Sequence, residues 1–192
     1  MTRPLRLATY NVEWMNALFD DAGRPLFDGE LSARYKVTRR DQLQALGVVF
    51  TALDADGVMI IEAPDTSRKR STVTALERFA RQFDLRAHKA VIGFASDTEQ
   101  EIAFLYDPDR LSVAHDPRGA PAPAHGATAA PRFDTGLRYD FNEDGVDERV
   151  TFSKPPLELA VQDGVRRLHL IGPRHLQKAV NPVPSQCCRG HR

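Results

Sequence analysis

The sequence predicts an α/β (α+β) domain, a β-sandwich of mixed sheets with helices on the outside. Three observations carry that expectation. In the first half, two segments with helical apolar spacing alternate with apolar strand runs. The second half is mostly short strand runs joined by turn signals. At 192 residues the chain can bury one sizeable core and is too short for two comfortable ones.

The opening run "LRLATYN" reads as a strand, and the "ALFDDAGRPLFDGELSARYKV" that comes after it as a long surface loop with a turn at Asp20 to Gly23. Thr38 caps a helix whose apolar stripe is Leu43, Leu46, Phe50 and Leu53. "GVMIIEAPD" is continuously apolar between turn signals, the signature of a strand buried on both faces. Ser71 or Thr72 caps a second helix with Val73, Leu76, Phe79, Ala80 and Phe83 inward. "LRAHKAVIGF" reads as a strand, and "EIAFLYDPDRLSV" as a hairpin turning at "DPDR". Residues 116–130, "DPRGAPAPAHGATAA", read as a mobile insertion. Four strand candidates complete the pattern: "TGLRYDF", "DERVTFS", "PLELAVQ" and "RRLHLIG".

Lys plus Arg and Asp plus Glu number 26 each, so no global field draws the protein to nucleic acid or an anionic membrane. Phosphate binding, where it occurs, has to be local. No apolar run reaches the roughly 20 residues of a membrane span, and the N-terminus lacks a signal-peptide core, which makes the cytoplasm the expected compartment. Cys187 and Cys188 are adjacent near the C-terminus, where they cannot staple the fold.

Glu62 is the sharpest single residue. A carboxylate ending an otherwise apolar buried strand is costly to desolvate unless a cation or hydrogen-bond donors meet it. The plain alternative is a glutamate that has reached solvent or is paired with Arg or Lys. Asn11 and Glu13 stand at the equivalent exit of the first strand. If the two strands are parallel neighbours, all three converge at one carboxyl edge. Oxygen ligands from two strand ends suit a hard cation such as Mg²⁺ (or Mn²⁺). For Asn11 alone, an Asx turn is the simpler reading.

"LRLATYNVEWMN", then "DADGVMIIEAPD", then "EIAFLYDPDRLSV" in that order resemble the first half of the endonuclease/exonuclease/phosphatase superfamily, over roughly residues 3–172. The resemblance implies a DNase I-like fold and a metal-dependent hydrolase of phosphoric esters, acting as nuclease, phosphodiesterase or phosphatase. It places Asn11 in the active site, Glu62 on the catalytic metal, and Glu13 as a further candidate for metal contact. Lys154 in "FSKPPLEL" matches a basic position that faces phosphate, and would otherwise be a surface lysine. His175 matches a family histidine only with a one-residue shift, because "GPRHLQ" puts Pro and Arg before it; the alternative is a polar tail residue.

The family's Gly-Asp-x-Asn and Ser-Asp-His motifs would fall beyond residue 176 and are not found there. The tail "RHLQKAVNPVPSQCCRGHR" is expected to be irregular over residues 173–192, a truncated or out-of-frame ending. A competing expectation follows, that of a noncatalytic fragment associating through uncovered sheet edges. In "YDFNEDGVDERV", Asp140, Asn142, Asp144 and Gly145 fit the start of a calcium loop, but its twelfth position is Thr151 rather than Glu. An Asn/Asp/Gly-rich turn between two strands is the expected role.

Overall fold

The computed structural model describes residues 3–34, 36–95, 100–117, 138–152, 155–173 and 176–178. The chain is a mixed α/β structure. Its elements are β1 (Leu7–Asn11), a single 3-10 turn (Met15–Leu18), α1 (Arg39–Leu53), β2 (Gly57–Pro64), α2 (Thr72–Gln82), β3 (Lys89–Ile92), β4 (Gln100–Tyr106), β5 (Ser112–His115), β6 (Arg138–Tyr139), β7 (Glu148–Phe152), β8 (Leu157–Asp163), β9 (Arg166–Gly172) and β10 (Leu176–Lys178). Among the described residues, no helix is long and apolar enough to cross a membrane.

The first sheet runs β1-β2-β4-β3. β1 and β2 are parallel, as a strand-helix-strand unit requires, and the register sets Asn11 opposite Ile61. β4 is antiparallel to both β2 and β3, which makes the sheet mixed. A second, antiparallel sheet runs β5-β8-β9, and a third, short one runs β10-β7-β6.

Alternation along β2 and β4 builds two cores from one sheet. Val58, Ile60, Ala103 and Leu105 face α1 and α2, where they meet Leu43, Leu46, Phe50, Leu76 and Phe79. Met59, Ile102 and Phe104 face the other way, onto Leu157, Leu159 and Val161 of β8. The layers are therefore helices, mixed sheet, antiparallel sheet. β2 is covered on both faces, the reason its sequence is apolar without alternation.

Both helix starts follow the sequence. Thr38 accepts from the Asp41 N–H and Ser71 from the Thr74 N–H, each satisfying a donor that the first turn leaves open. The Asp20 turn closes through the Gly23 N–H, with Gly23 at φ 75°.

Two expectations are corrected. β4 and β5 do not form a hairpin: the turn at Asp107–Arg110 exists, but β5 pairs with β8 in the second sheet. On the second sheet Leu111 and Val113 join the core lined by Leu157, Leu159 and Val161, and the Arg110 guanidinium reaches Asp163 at the end of β8 at 2.9 Å, so apolar burial and an ion pair both hold β5 there. The tail is not wholly irregular either, since Leu176–Lys178 pairs antiparallel with β7. The remaining tail, both cysteines and residues 118–130 of the insertion lie outside the described residues.

Candidate functional site

Parallel pairing of β1 and β2 brings two strand exits to one edge, and the site is built there. The Asn11 amide Nδ2 donates to Glu62 Oε1 across 3.4 Å. The Trp14 backbone N–H donates to Glu62 Oε2 at 3.2 Å, and Gln100 Nε2 donates to the same oxygen at 3.3 Å. Glu62 is 7% exposed, so a carboxylate removed from water is met by three N–H groups from three different segments.

Glu62 is not the last residue of its strand. It sits at a β-bulge, where the register with β4 slips between Ile61 and Ala63, and its φ is 68°. Bulges re-aim side chains near functional sites. Here the extra residue turns the carboxylate to the edge that Asn11 and Trp14 occupy, instead of into a core.

The loop after β1 is strained in the same place. Glu13 and Trp14 are consecutive left-handed residues, at φ 48° and 60°. Of the seven non-glycine residues with positive φ among those described, three are therefore at this one edge. Each such conformation costs of order 1–3 kcal/mol and persists only where its surroundings hold it.

Bonds from Asn11, Glu62 and Gln42 hold Glu13 and Trp14 directly, and Arg70 anchors the segment that follows them. Its guanidinium donates to the Asn16 backbone oxygen and the Phe19 backbone oxygen, each at 3.1 Å, and also to the Asn16 side chain and to Asp65 just beyond β2. Four acceptors on two segments are thus bridged by one planar fork, a role a point-charge lysine cannot fill. Asn16 Oδ1 also accepts the Asp65 N–H at 3.2 Å, which closes the clamp from the other side.

Asn11 makes the Asx turn and reaches Glu62 with the same amide. Its Oδ1 accepts the Glu13 N–H at 3.0 Å, an Asx turn, and this fixes the other end of the amide as the donor facing Glu62. Glu13 is carried to the same loop, but its carboxylate pairs with Arg34 on the rim, and its backbone oxygen accepts from Gln42 Nε2 at 3.2 Å. Lys154 and His175 lie outside the described residues.

The candidate metal ligand in this group is the Glu62 carboxylate alone, because the three groups that meet it present N–H donors, which do not coordinate a cation. That chemistry suits a hard cation that keeps most of its waters and takes one or two carboxylates, and it does not suit a soft or imidazole-seeking metal. Among the described residues no three His, Cys, Asp or Glu side chains gather as a cage.

Sequence reasoning missed Gln100, the Trp14 N–H and Arg70. Gln100 could have been found, as a polar residue opening an apolar strand, once β4 was known to run antiparallel to β2. Arg70 is one of three basic residues in "SRKRS", and nothing in that stretch distinguishes it.

A second polar centre lies at the opposite end of β1 and β2. The wholly buried Asp56 accepts from the Arg6 N–H at 2.8 Å, from Arg86 at 3.0 Å and from Arg3. Burial by itself would raise the Asp56 carboxyl; the Arg6 N–H and the two guanidiniums outweigh it and hold the group below the usual range. This centre is fully ion-paired and ties the N-terminal segment to the first sheet. In the segment 140–148, Asp140 accepts the Asp144 and Gly145 N–H groups and Asp144 accepts that of Val146, an ordinary Asx-rich turn between β6 and β7.

The chain matches no family model, no curated protein and no solved structure.

Proposed function

We propose that the chain is a metal-dependent hydrolase of phosphoric esters, of the endonuclease/exonuclease/phosphatase type with a DNase I-like sandwich. The observation that supports this best is the Asn11–Glu62 contact at the shared carboxyl edge of two parallel strands. The layering of helices, mixed sheet and antiparallel sheet agrees with such a sandwich as far as it extends.

In this reading Glu62 holds Mg²⁺ or Mn²⁺, which supplies polarisation of a phosphoryl oxygen. Asn11 and Gln100 fix the carboxylate so that it needs no reorganisation when substrate arrives. The Trp14 N–H keeps the strained loop against that carboxylate. Glu13 and Arg34 form a neutral pair at the rim. The substrate class is a phosphate ester, nucleic acid included.

The test is hydrolysis of a chromogenic phosphodiester with Mg²⁺ by the whole chain. Turnover that disappears in Glu62→Ala supports the reading. Absence of turnover from folded native protein overturns it.

The alternative of a noncatalytic domain that self-associates has its own support. β1 and β9 end their sheets on the same side, with a groove of about 450 Å³ between them lined by Leu7, Met59, Ile61 and Ile171. Unpaired strand edges favour association. Sedimentation over a range of concentrations tests it: a monomer throughout excludes this reading, and a dimer broken by Leu7→Lys supports it.

A further inference from the structure

Trp14 is the only tryptophan of the chain, and it is 49% exposed beside a carboxylate that is 7% exposed. It is bulky and yet left-handed at φ 60°, a conformation that glycine or asparagine would adopt with far less strain. Among the described residues, no other ring packs against its indole. Its backbone N–H, by contrast, is committed to Glu62 Oε2 at 3.2 Å. The backbone is thus tied to the Glu62 carboxylate, while the side chain of the same residue stays half exposed.

From this arrangement we infer that Trp14 is a stacking platform, and that the ligand taken at the Asn11–Glu62 edge is a phosphate ester whose alcohol carries a planar aromatic base, a nucleotide in the biological case. The inference deepens the phosphoric-ester reading and rests on it. A π-face accepts any base, whereas an aliphatic alcohol gains little from it. The chain has zero net charge, and the rim charges Glu13 and Arg34 pair with each other. Long-range steering of an anion is therefore weak, and the alcohol's contact with the indole contributes much of the selectivity.

Stacking one base on an aromatic side chain changes affinity by about 5- to 100-fold. The sole indole also reports its own occupancy by fluorescence. The experiment compares adenosine monophosphate with glycerol phosphate, both with Mg²⁺, by Trp14 quenching in the native chain and by calorimetry in the native chain, Trp14→Phe and Trp14→Ala.

The expected result is saturable quenching by the nucleotide alone, with glycerol phosphate binding about 5- to 100-fold more weakly. Trp14→Ala lowers nucleotide affinity to that of glycerol phosphate, and Trp14→Phe retains part of the difference. Equal binding of the two probes to the native chain overturns the platform and leaves the phosphate site standing. Binding of neither probe overturns both. Should Trp14→Ala fail to fold, the native selectivity and the Phe variant decide.

Discussion

Asn11 donates its amide to the Glu62 carboxylate at 3.4 Å and accepts the Glu13 N–H through its other end at 3.0 Å. One side chain thereby couples the end of β1 to the bulge of β2. The same amide that makes a local turn also satisfies part of a buried charge, so turn geometry and site geometry cannot vary independently.

Glu62→Gln tests that coupling. Three N–H donors converge on the carboxylate, and a glutamine offers them one acceptor oxygen and an opposing NH₂ group. An unsatisfied buried donor costs about 1–3 kcal/mol, or roughly 2–12 °C in melting temperature for a domain of this size. On the proposed function, hydrolysis of the phosphodiester falls by at least about 100-fold. A variant that melts like the native chain and keeps its turnover would remove Glu62 from the site.

Arg70 is predicted to act at a distance from the ligand, by anchoring the segment that follows Glu13 and Trp14. Arg70→Ala releases four acceptors on the 16–19 segment and Asp65, and is expected to lose about 2–4 kcal/mol. The diagnostic readout is Trp14 fluorescence anisotropy in the folded variant, which drops as the loop gains freedom. Arg70→Lys recovers part of the stability and little of the anisotropy, since an ammonium cannot span both segments. Unchanged anisotropy in Arg70→Ala would show that the loop is held by other means.

The fold was largely legible because its signals are local. Thr38 and Ser71 announce helix starts, and the unbroken apolar run from Gly57 announces a strand covered on two faces. The hairpin at Asp107–Arg110 was misread because a turn sequence specifies a change of direction and not a partner. The partner, β8, lies far along the chain, where Val113 pairs with Val161 and Arg110 meets Asp163, 53 residues away. At the site, Glu62 and Asn11 were visible as polar residues out of place in strands. The bulge, the left-handed pair Glu13–Trp14 and the Arg70 clamp were not, because each is imposed by tertiary contacts on residue types that carry no such preference.

Gly47→Ala opposes two effects of known sign in α1. Alanine in a helix interior gains about 0.5–1 kcal/mol over glycine. A Cβ at this position, however, overlaps the Phe83 ring, which is itself held between Phe79 at 5.0 Å and Phe27 at 6.0 Å. Overpacking of that kind costs about 1–3 kcal/mol, so the variant is less stable by about 1 kcal/mol. Urea unfolding measures it; a stabilised Gly47→Ala would mean that Phe83 moves freely.

His115 gives the protein a stability gradient near neutrality. Burial pushes its imidazole below the ordinary value of 6.5, and the opposing pull of Glu158 and Asp116 is weaker. Its Nε2 is buried with no hydrogen-bond partner among the described residues, and its ring meets Phe94 edge-on at 4.8 Å. Because the folded group binds its proton less readily than the unfolded one, the stability it contributes is complete above about pH 6.5. That stability is lost as pH falls from there toward the lowered folded value. Asp56 and Asp163 behave oppositely in origin but alike in direction: their lowered carboxyls stabilise the fold above about pH 4 and lose that contribution on further acidification. The two windows are separable. His115→Phe keeps a ring against Phe94 and removes the unpaired nitrogen, so it is expected to match or exceed native stability at pH 7.5 by up to about 1 kcal/mol. Between pH 6.5 and 5 its urea midpoint stays flatter than that of the native chain, while both lose stability below pH 4. Parallel midpoints across the upper window would place the titration elsewhere.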